Sequence, residues 1–172
     1  MKINVDEDTI PLPYPGVSRV RPEWEDANGH MNMAHYVSAF DDGSCPMFDY
    51  LGLGWDYTKA GTSSIFVASS NIDYRRELVA GDDLTMGTVL LGFDNRRIQI
   101  YQELYHASAN YLAAQAEFMF VHVSLATRKM CDIPDDSLDK LEIVYDIHKH
   151  YEQRGFIGRK ISLRRECRRE KV

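Results

Sequence analysis

Cysteine is scarce in this sequence. Cys45, Cys131 and Cys167 lie far apart and form no Cys-x-x-Cys pair. So odd and scattered a set argues against a disulfide framework or a zinc knuckle, and leaves buried or idle thiols that pack as small hydrophobes. Long apolar runs are missing too, with nothing near the roughly 18 residues of a membrane-spanning helix. The start, Met1-Lys2-Ile3-Asn4-Val5-Asp6-Glu7-Asp8, is acidic and lacks the basic and apolar pattern of a signal peptide, so a cytoplasmic location is the expectation. Metal-ligand spacing is absent: His30 and His35 are five apart, His148 and His150 two apart, and neither pair shares a helix face as i and i+4 would. No metal and no cofactor is expected. There is no Gly-x-Ser-x-Gly elbow and no Cys/His pair pointing to a thiol nucleophile. Repeats, low-complexity tracts and Gly/Ser linkers are lacking as well. One domain over residues 1–153, followed by a basic tail at 154–172, is the simplest division.

What is present suits a folded, water-exposed domain. Of 172 residues, 44% are hydrophobic and 27% charged, enough to bury a core. The net charge of −6 is unevenly spread, because eight Lys/Arg and only two Glu fall between Arg154 and Val172. A basic tail can attract phosphates, but Ile161, Leu163, Glu166 and Glu170 also fit a solvated segment folding back on an acidic body. Neither nucleic acid nor a membrane is an expected partner.

Pro11, Pro13 and Pro15 exclude a helix or central strand from the leader, which is expected to be extended. A weak strand is expected over 16–25, interrupted by Pro22, then a loop rich in Asp, Asn and Gly from Asp26 to Asn32. Met33, Tyr36, Val37, Phe40, Ser44, Met47, Phe48 and Leu51 recur at helical spacing; Pro46 predicts a kink or two helices, and Gly52 and Gly54 an end. Strands follow at 64–74, at 84–91 (apolar on both faces), at 97–106 after an Asp94-Asn95 turn, and at 111–125. The pattern reads as a meander of long antiparallel strands. Asp135-Asp136-Ser137 then starts a helix with Leu138, Leu141, Val144, Tyr145 and His148 on one stripe. One apolar helix before one curved antiparallel sheet predicts an α+β arrangement with the helix wrapped by the sheet.

Three segments carry a resemblance: Trp24-Glu25-Asp26-Ala27-Asn28-Gly29-His30-Met31-Asn32 with Tyr36 beyond it, Tyr74-Arg75-Arg76-Glu77-Leu78-Val79-Ala80-Gly81-Asp82, and Phe120-Val121-His122-Val123 leading into Ala126-Thr127-Arg128-Lys129. In order and spacing they resemble hotdog-fold acyl-CoA thioesterases of the 4-hydroxybenzoyl-CoA thioesterase type, from about Val17 to Pro134. The resemblance implies that Asp26 matches the family's catalytic aspartate. The Asp-x-Asn-x-His spacing is also similar to plant acyl-carrier-protein thioesterases, which implies roles for Asn28 and His30. Many relatives have a second Asp two residues before the first, and Trp24 stands there in this chain. Glu103-Leu104-Tyr105-His106, after Arg96-Arg97-Ile98, resembles thioesterases of carnitine catabolism, whose acyl group bears a trimethylammonium that an aromatic pocket would suit. The resemblance further implies a homodimer, or a homotetramer built from dimers, with sheets paired edge to edge and sites at the interface.

The chemistry fits those residues. A carboxylate such as Asp26 can attack a thioester carbonyl or deprotonate water, and the residues leave both routes open. Asn32 is a candidate N-cap, so the amides near Met33 and Ala34 would face a developing oxyanion with the helix dipole behind them. His30 could orient Asp26 or a water, and Asn28 could position either reactant. The resemblance implies that Tyr36, in the first turns of the central helix, binds substrate. Arg75, Arg76, Arg96, Arg97, Arg128 and Lys129 lie near predicted strand ends, with Arg75, Arg96 and Arg97 the chosen candidates to meet the phosphates of CoA, which is part of the substrate. By local chemistry alone the 26–32 segment is equally a turn followed by a cap. Two rival functions stand beside hydrolysis: a hotdog hydratase or dehydratase, and a non-catalytic acyl-CoA-binding module.

Overall fold

The computed structural model describes residues 16–150 and 157–161. The Pro11/Pro13/Pro15 leader, Cys167 and most of the basic tail lie outside the described residues, as does the boundary at 153/154. Strand β1 (Gly16–Arg19) is shorter than the sequence predicts, because Pro22 opens a 3-10 turn at Pro22–Trp24. Helix α1 (Met33–Leu51) follows, then a short helix α2 (Trp55–Lys59) that the sequence did not announce. Four long strands come next: β2 (Ser63–Tyr74), β3 (Asp83–Phe93), β4 (Arg97–His106) and β5 (Leu112–Ser124). Helix α3 (Asp135–His148) closes the described body.

Helix α1 starts and stops for local reasons. The Asn32 side chain accepts from the Ala34 amide at 3.0 Å, capping the start. At the other end Gly52 adopts φ 74°, the Gly52 amide reaches Asp49 O at 3.1 Å and the Leu53 amide reaches Phe48 O at 2.8 Å. That double bond is a Schellman closure, with buried Phe48 and Leu53 as its apolar pair. Contrary to the two-helix alternative, α1 runs unbroken through Pro46. Buried residues on both sides of the proline, Phe40, Gly43 and Ser44 before it and Met47 and Leu51 after it, anchor the helix to the sheet. Tertiary packing of this apolar face outweighs the lost backbone donor. Met33 and Val37, expected on the buried stripe, are exposed, and Ala39 and Gly43 take their place.

Among the described residues five antiparallel strands order as β1-β3-β4-β5-β2. Only β3, β4 and β5 form a meander. β2 does not pair with β3, as a full meander would require, but crosses over to pair with β5 from Ser63↔Ser124 to Tyr74↔Ala114. The connection at 75–82 is too long for a tight hairpin and carries the chain across the sheet, back to the β1 side. Register shifts at Val67/Ser69, Leu90/Gly92 and Leu104/Tyr105 add twist and curl the sheet around α1. The core lies between them, with Phe40 against Phe118 at 5.9 Å and Phe48 against Phe120 at 4.8 Å between ring centres. This is the expected α+β hotdog architecture. α3 packs on β3, where buried His148 Nδ1 accepts the Leu90 amide at 2.9 Å beside the register shift. Burial pushes the His148 imidazole down to about 4. No helix among the described residues is long and apolar enough to cross a membrane.

Candidate active site

The 26–32 segment folds as one tight turn. Asp26 Oδ1 accepts the Asn28 amide at 2.8 Å, the Asp26 amide donates to His30 O at 2.9 Å, and the Gly29 amide returns to Asp26 O at 3.0 Å. Gly29 sits at φ 77°, a conformation that favours glycine and lets the chain reverse there. Two further bonds clamp the turn: the Met31 amide donates to Leu78 O at 2.7 Å and the Asn32 amide to Trp24 O at 2.8 Å. Trp24 is buried beside the turn, stacked on His35 at 5.3 Å with Arg21 over its ring at 5.0 Å. The departure at position 24 is therefore a packing residue that supports the loop.

Around that turn the predicted residues separate into groups. Ala34's amide is occupied by the Asn32 cap, so of the two expected oxyanion donors the Met33 amide is the one without a partner among the described residues. Among the described residues Asp26 Oδ2 also has no hydrogen-bond partner. Asn28 contributes its backbone to the turn, and its side chain is exposed. His30 does not contact the Asp26 carboxylate; its Nε2 lies 3.1 Å from Glu77 Oε2. Tyr36 is buried, with Tyr74 edge-on at 5.2 Å, and desolvation pushes its phenol up to about 12 against the opposing pull of a hydrogen bond to the Leu78 backbone. A cavity of about 280 Å³ beside the helix start is lined by Met33, Tyr36, Tyr74, Arg75, Arg76 and Glu77. Two arginines share this cavity with the two tyrosines, so it is not a purely aromatic cage. Arg75 pairs with Asp73 at 2.8 Å, and Arg76 stacks over Tyr111 at 3.9 Å.

Arg96 and Arg97 are elsewhere. Arg96 sits in the β3–β4 turn and Arg97 opens β4, at the other end of the eleven-residue β3, roughly 35 Å from the strand end nearest Asp26. Arg96 pairs with Asp132 at 2.5 Å and Arg97 with Asp94 at 2.6 Å. The Arg97 guanidinium and the Arg96 amide hold the Asp94 carboxyl below its usual range. Antiparallel strands put consecutive turns at opposite ends of a sheet, so within one protomer these residues cannot join the Asp26 turn.

Two features escaped the sequence. Glu77 lies in the Tyr74–Asp82 segment already singled out, and a carboxylate next to two arginines was the available signal. A Cys/His pair does exist, because the chain after β5 folds back and sets Cys131 Sγ 3.3 Å from His122 Nδ1. It does not make a nucleophile. His122 Nδ1 is 3.1 Å from Cys131 O and Nε2 2.8 Å from Tyr57 OH, so a proton on Nδ1 satisfies both nitrogens of a buried ring.

Comparison with known proteins defines the class. Residues 20–141 match the family described as the thioesterase-like superfamily, and the chain belongs to it. A betainyl-CoA thioesterase of Pseudomonas aeruginosa is 28% identical over 84% of this chain and 91% of that protein. An L-carnitine dehydrogenase/betainyl-CoA thioesterase of Rhizobium sp is 28% identical over 86% of this chain, which spans 30% of that longer protein. Among solved structures, a putative thioesterase of Pseudomonas putida superposes with a TM-score of 0.74 at 25% identity, over 87% of this chain and 95% of that one. A Staphylococcus aureus protein solved in complex with CoA shares the fold, with a TM-score of 0.80 at 22% identity over 88% and 95% of the two chains.

Proposed function

We propose that this protein is an acyl-CoA thioesterase that hydrolyses its substrate where the Asp26 turn meets the start of α1. One observation carries the reading: a single turn holds a carboxylate with one oxygen uncommitted among the described residues, directly before a capped helix whose Met33 amide is uncommitted among them too. The thioester carbonyl would lie between them. Asp26 attacks the carbonyl carbon or takes a proton from water, while the Met33 amide and the helix dipole stabilise charge on the carbonyl oxygen. If Asp26 attacks, CoA leaves as the thiolate, an Asp26–acyl anhydride forms, and a water then hydrolyses it to the acid, its proton going to the thiolate. If Asp26 is the base, the deprotonated water adds to the carbonyl, CoA leaves, and the proton passes from Asp26 to the thiolate as the acid is released. His30 and Glu77 form a polar wall beside this point, and Tyr36 a buried one.

The dimer belongs to the same reading. β2 is an edge strand of twelve residues with exposed Phe66 and Val67, and α1 exposes Met33 and Val37 on its surface. Pairing two β2 edges antiparallel would satisfy the open backbone groups. It would also set the Ser63 end of one copy against the Tyr74 end of the other. Arg97 is level with Val121, and Val121 with Phe66, in the first half of β2. Arg96 and Arg97 of one copy would then approach CoA bound at the helix start of the second. Thiol release from a panel of CoA esters tests the reaction, with betainyl-CoA first because two relatives carry that name. Hydrolysis frees CoA thiol; a hydratase or a binding module does not, and silence across the panel would overturn the reading.

A further inference from the structure

A second opening runs along α1, away from the helix start. Two cavities of about 170 and 130 Å³ share Asp41, Ser44, Val67 and Phe120, and together make one groove between α1 and the edge strand β2. Among the described residues its charged lining is Asp41 and Asp49, with no lysine or arginine. Phe40, Phe118 and Phe120 supply apolar walls.

Gln102 of β4 lines this groove and is 1% exposed. Its Nε2 donates to Phe40 O and to Thr88 Oγ1, each at 3.0 Å, and Thr88 Oγ1 donates onward to Gly43 O at 3.4 Å. The Phe40 carbonyl fixes the amide, because turning it over would set its oxygen against that acceptor, while Thr88 already gives its proton to Gly43 O. Among the described residues Oε1 is left as a buried acceptor with no hydrogen-bond partner. A buried carbonyl without a donor costs free energy that an apolar side chain of similar size would avoid.

We propose that this groove is the acyl subsite, and that it selects acyl groups whose far end donates a hydrogen bond to Gln102 Oε1 beside the Asp41 carboxylate. The inference rests on the thioesterase reading above. Reach sets the length of the acyl group. Phe40, whose carbonyl holds the Gln102 amide, is seven residues beyond Met33, roughly 10 Å along the helix axis. The nitrogen of a betainyl group is two bonds from the thioester carbon and stops well short of that point. It also has no N–H to offer. A medium-length chain ending in a hydroxyl or a guanidinium reaches it and supplies the missing donor. An acyl group ending in a carboxylate meets Asp41 and an acceptor carbonyl, and is rejected.

The test compares kcat/KM for hexanoyl-, 6-hydroxyhexanoyl-, 4-guanidinobutyryl-, adipyl- and betainyl-CoA on the full chain. At least a tenfold preference for the hydroxyl or guanidinium ester over hexanoyl-CoA is expected, with adipyl-CoA below hexanoyl-CoA. The relative rates of the two donors separate a neutral from a cationic end group. In Gln102→Leu the hydroxyl preference should collapse toward unity. Asp41→Asn, at a surface position, should erase the guanidinium advantage and keep the hydroxyl one, which keeps the proposal testable if Gln102→Leu fails to fold. A non-hydrolysable 6-hydroxyhexyl thioether of CoA should bind the wild type at least tenfold tighter than the hexyl thioether. That binding arm reads the groove even if no ester is hydrolysed, so failure of the reaction and failure of the subsite are distinguishable. Equal binding of the two thioethers would overturn the proposal, as would a complex in which a water or the second copy, and not the ligand, meets Gln102 Oε1.

Discussion

The β3–β4 turn and the Asp26 turn handle polar groups in opposite ways. At the β3–β4 turn each arginine closes on a nearby carboxylate, Arg96 on Asp132 and Arg97 on Asp94. At the Asp26 turn the hydrogen bonds are made mostly by the backbone, and they hold Asp26 Oδ2 and the Met33 amide in place without using them. Exposed ion pairs contribute little to stability, so the first arrangement is cheap to open for a phosphate. A backbone-built turn cannot open without losing its shape. The first turn is suited to capturing a mobile charge, the second to holding a reacting group still.

The most direct way to break that contrast is at the carboxylate. Asp26→Asn keeps an oxygen for the Asn28 amide but removes the charge; kcat for thiol release should fall about 10³-fold with an unchanged melting temperature, a loss comparable to removing a principal catalytic group. Normal turnover would make Asp26 a turn former only. Arg97→Glu should raise KM for CoA esters about tenfold with kcat within a factor of two, the pattern of a lost ground-state contact. Because roughly 35 Å of strand separates Arg97 from the Asp26 end of its own protomer, that result also requires a second copy. An unchanged KM would confine Arg97 to its turn. Gly29→Ala forces a side chain into φ 77° and should cost about 1 kcal/mol in chemical denaturation while lowering kcat several-fold. The smallest effect is far from both turns. His148 is neutral in the folded chain, and its imidazole is depressed from 6.5 to about 4. The stability it lends is complete above pH 6.5, declines as the unfolded chain takes up its proton, and is lost as pH falls through about 4. Urea midpoints measured between pH 7 and 4 should fall less steeply in His148→Gln than in the wild type.

Much of this was legible because it is local. The Asn32 cap, the Gly52 stop, the Asp94-Asn95 turn and the apolar β3 each follow from residues within one element. What was not legible depends on partners distant in sequence. β2 has the composition of any half-exposed strand, and nothing in it specifies β5 over β3; the 75–82 crossover decides that. Pro46 reads as a break until Met47 and Leu51 are seen locked in the core. In the site, Asp26 and Met33 could be placed from their turn and cap, but His30 turning to Glu77 is a contact across 47 positions of sequence. The arginines were legible as charges, and their distribution between the two ends of the sheet was not.

Gly43 of α1 faces Met86 of β3. A methyl group there would meet Met86 Sδ at 2.5 Å, so the spacing between α1 and β3 is set by a residue with no side chain. The proposed acyl groove lies on the other flank of the same helix, between α1 and β2. Enlarging position 43 must displace Met86 or rock α1 about this point, and rocking changes the width of the groove. On the proposed reading of the groove, selectivity is adjustable from a position that does not line it, with the helix acting as a lever and glycine as its fulcrum.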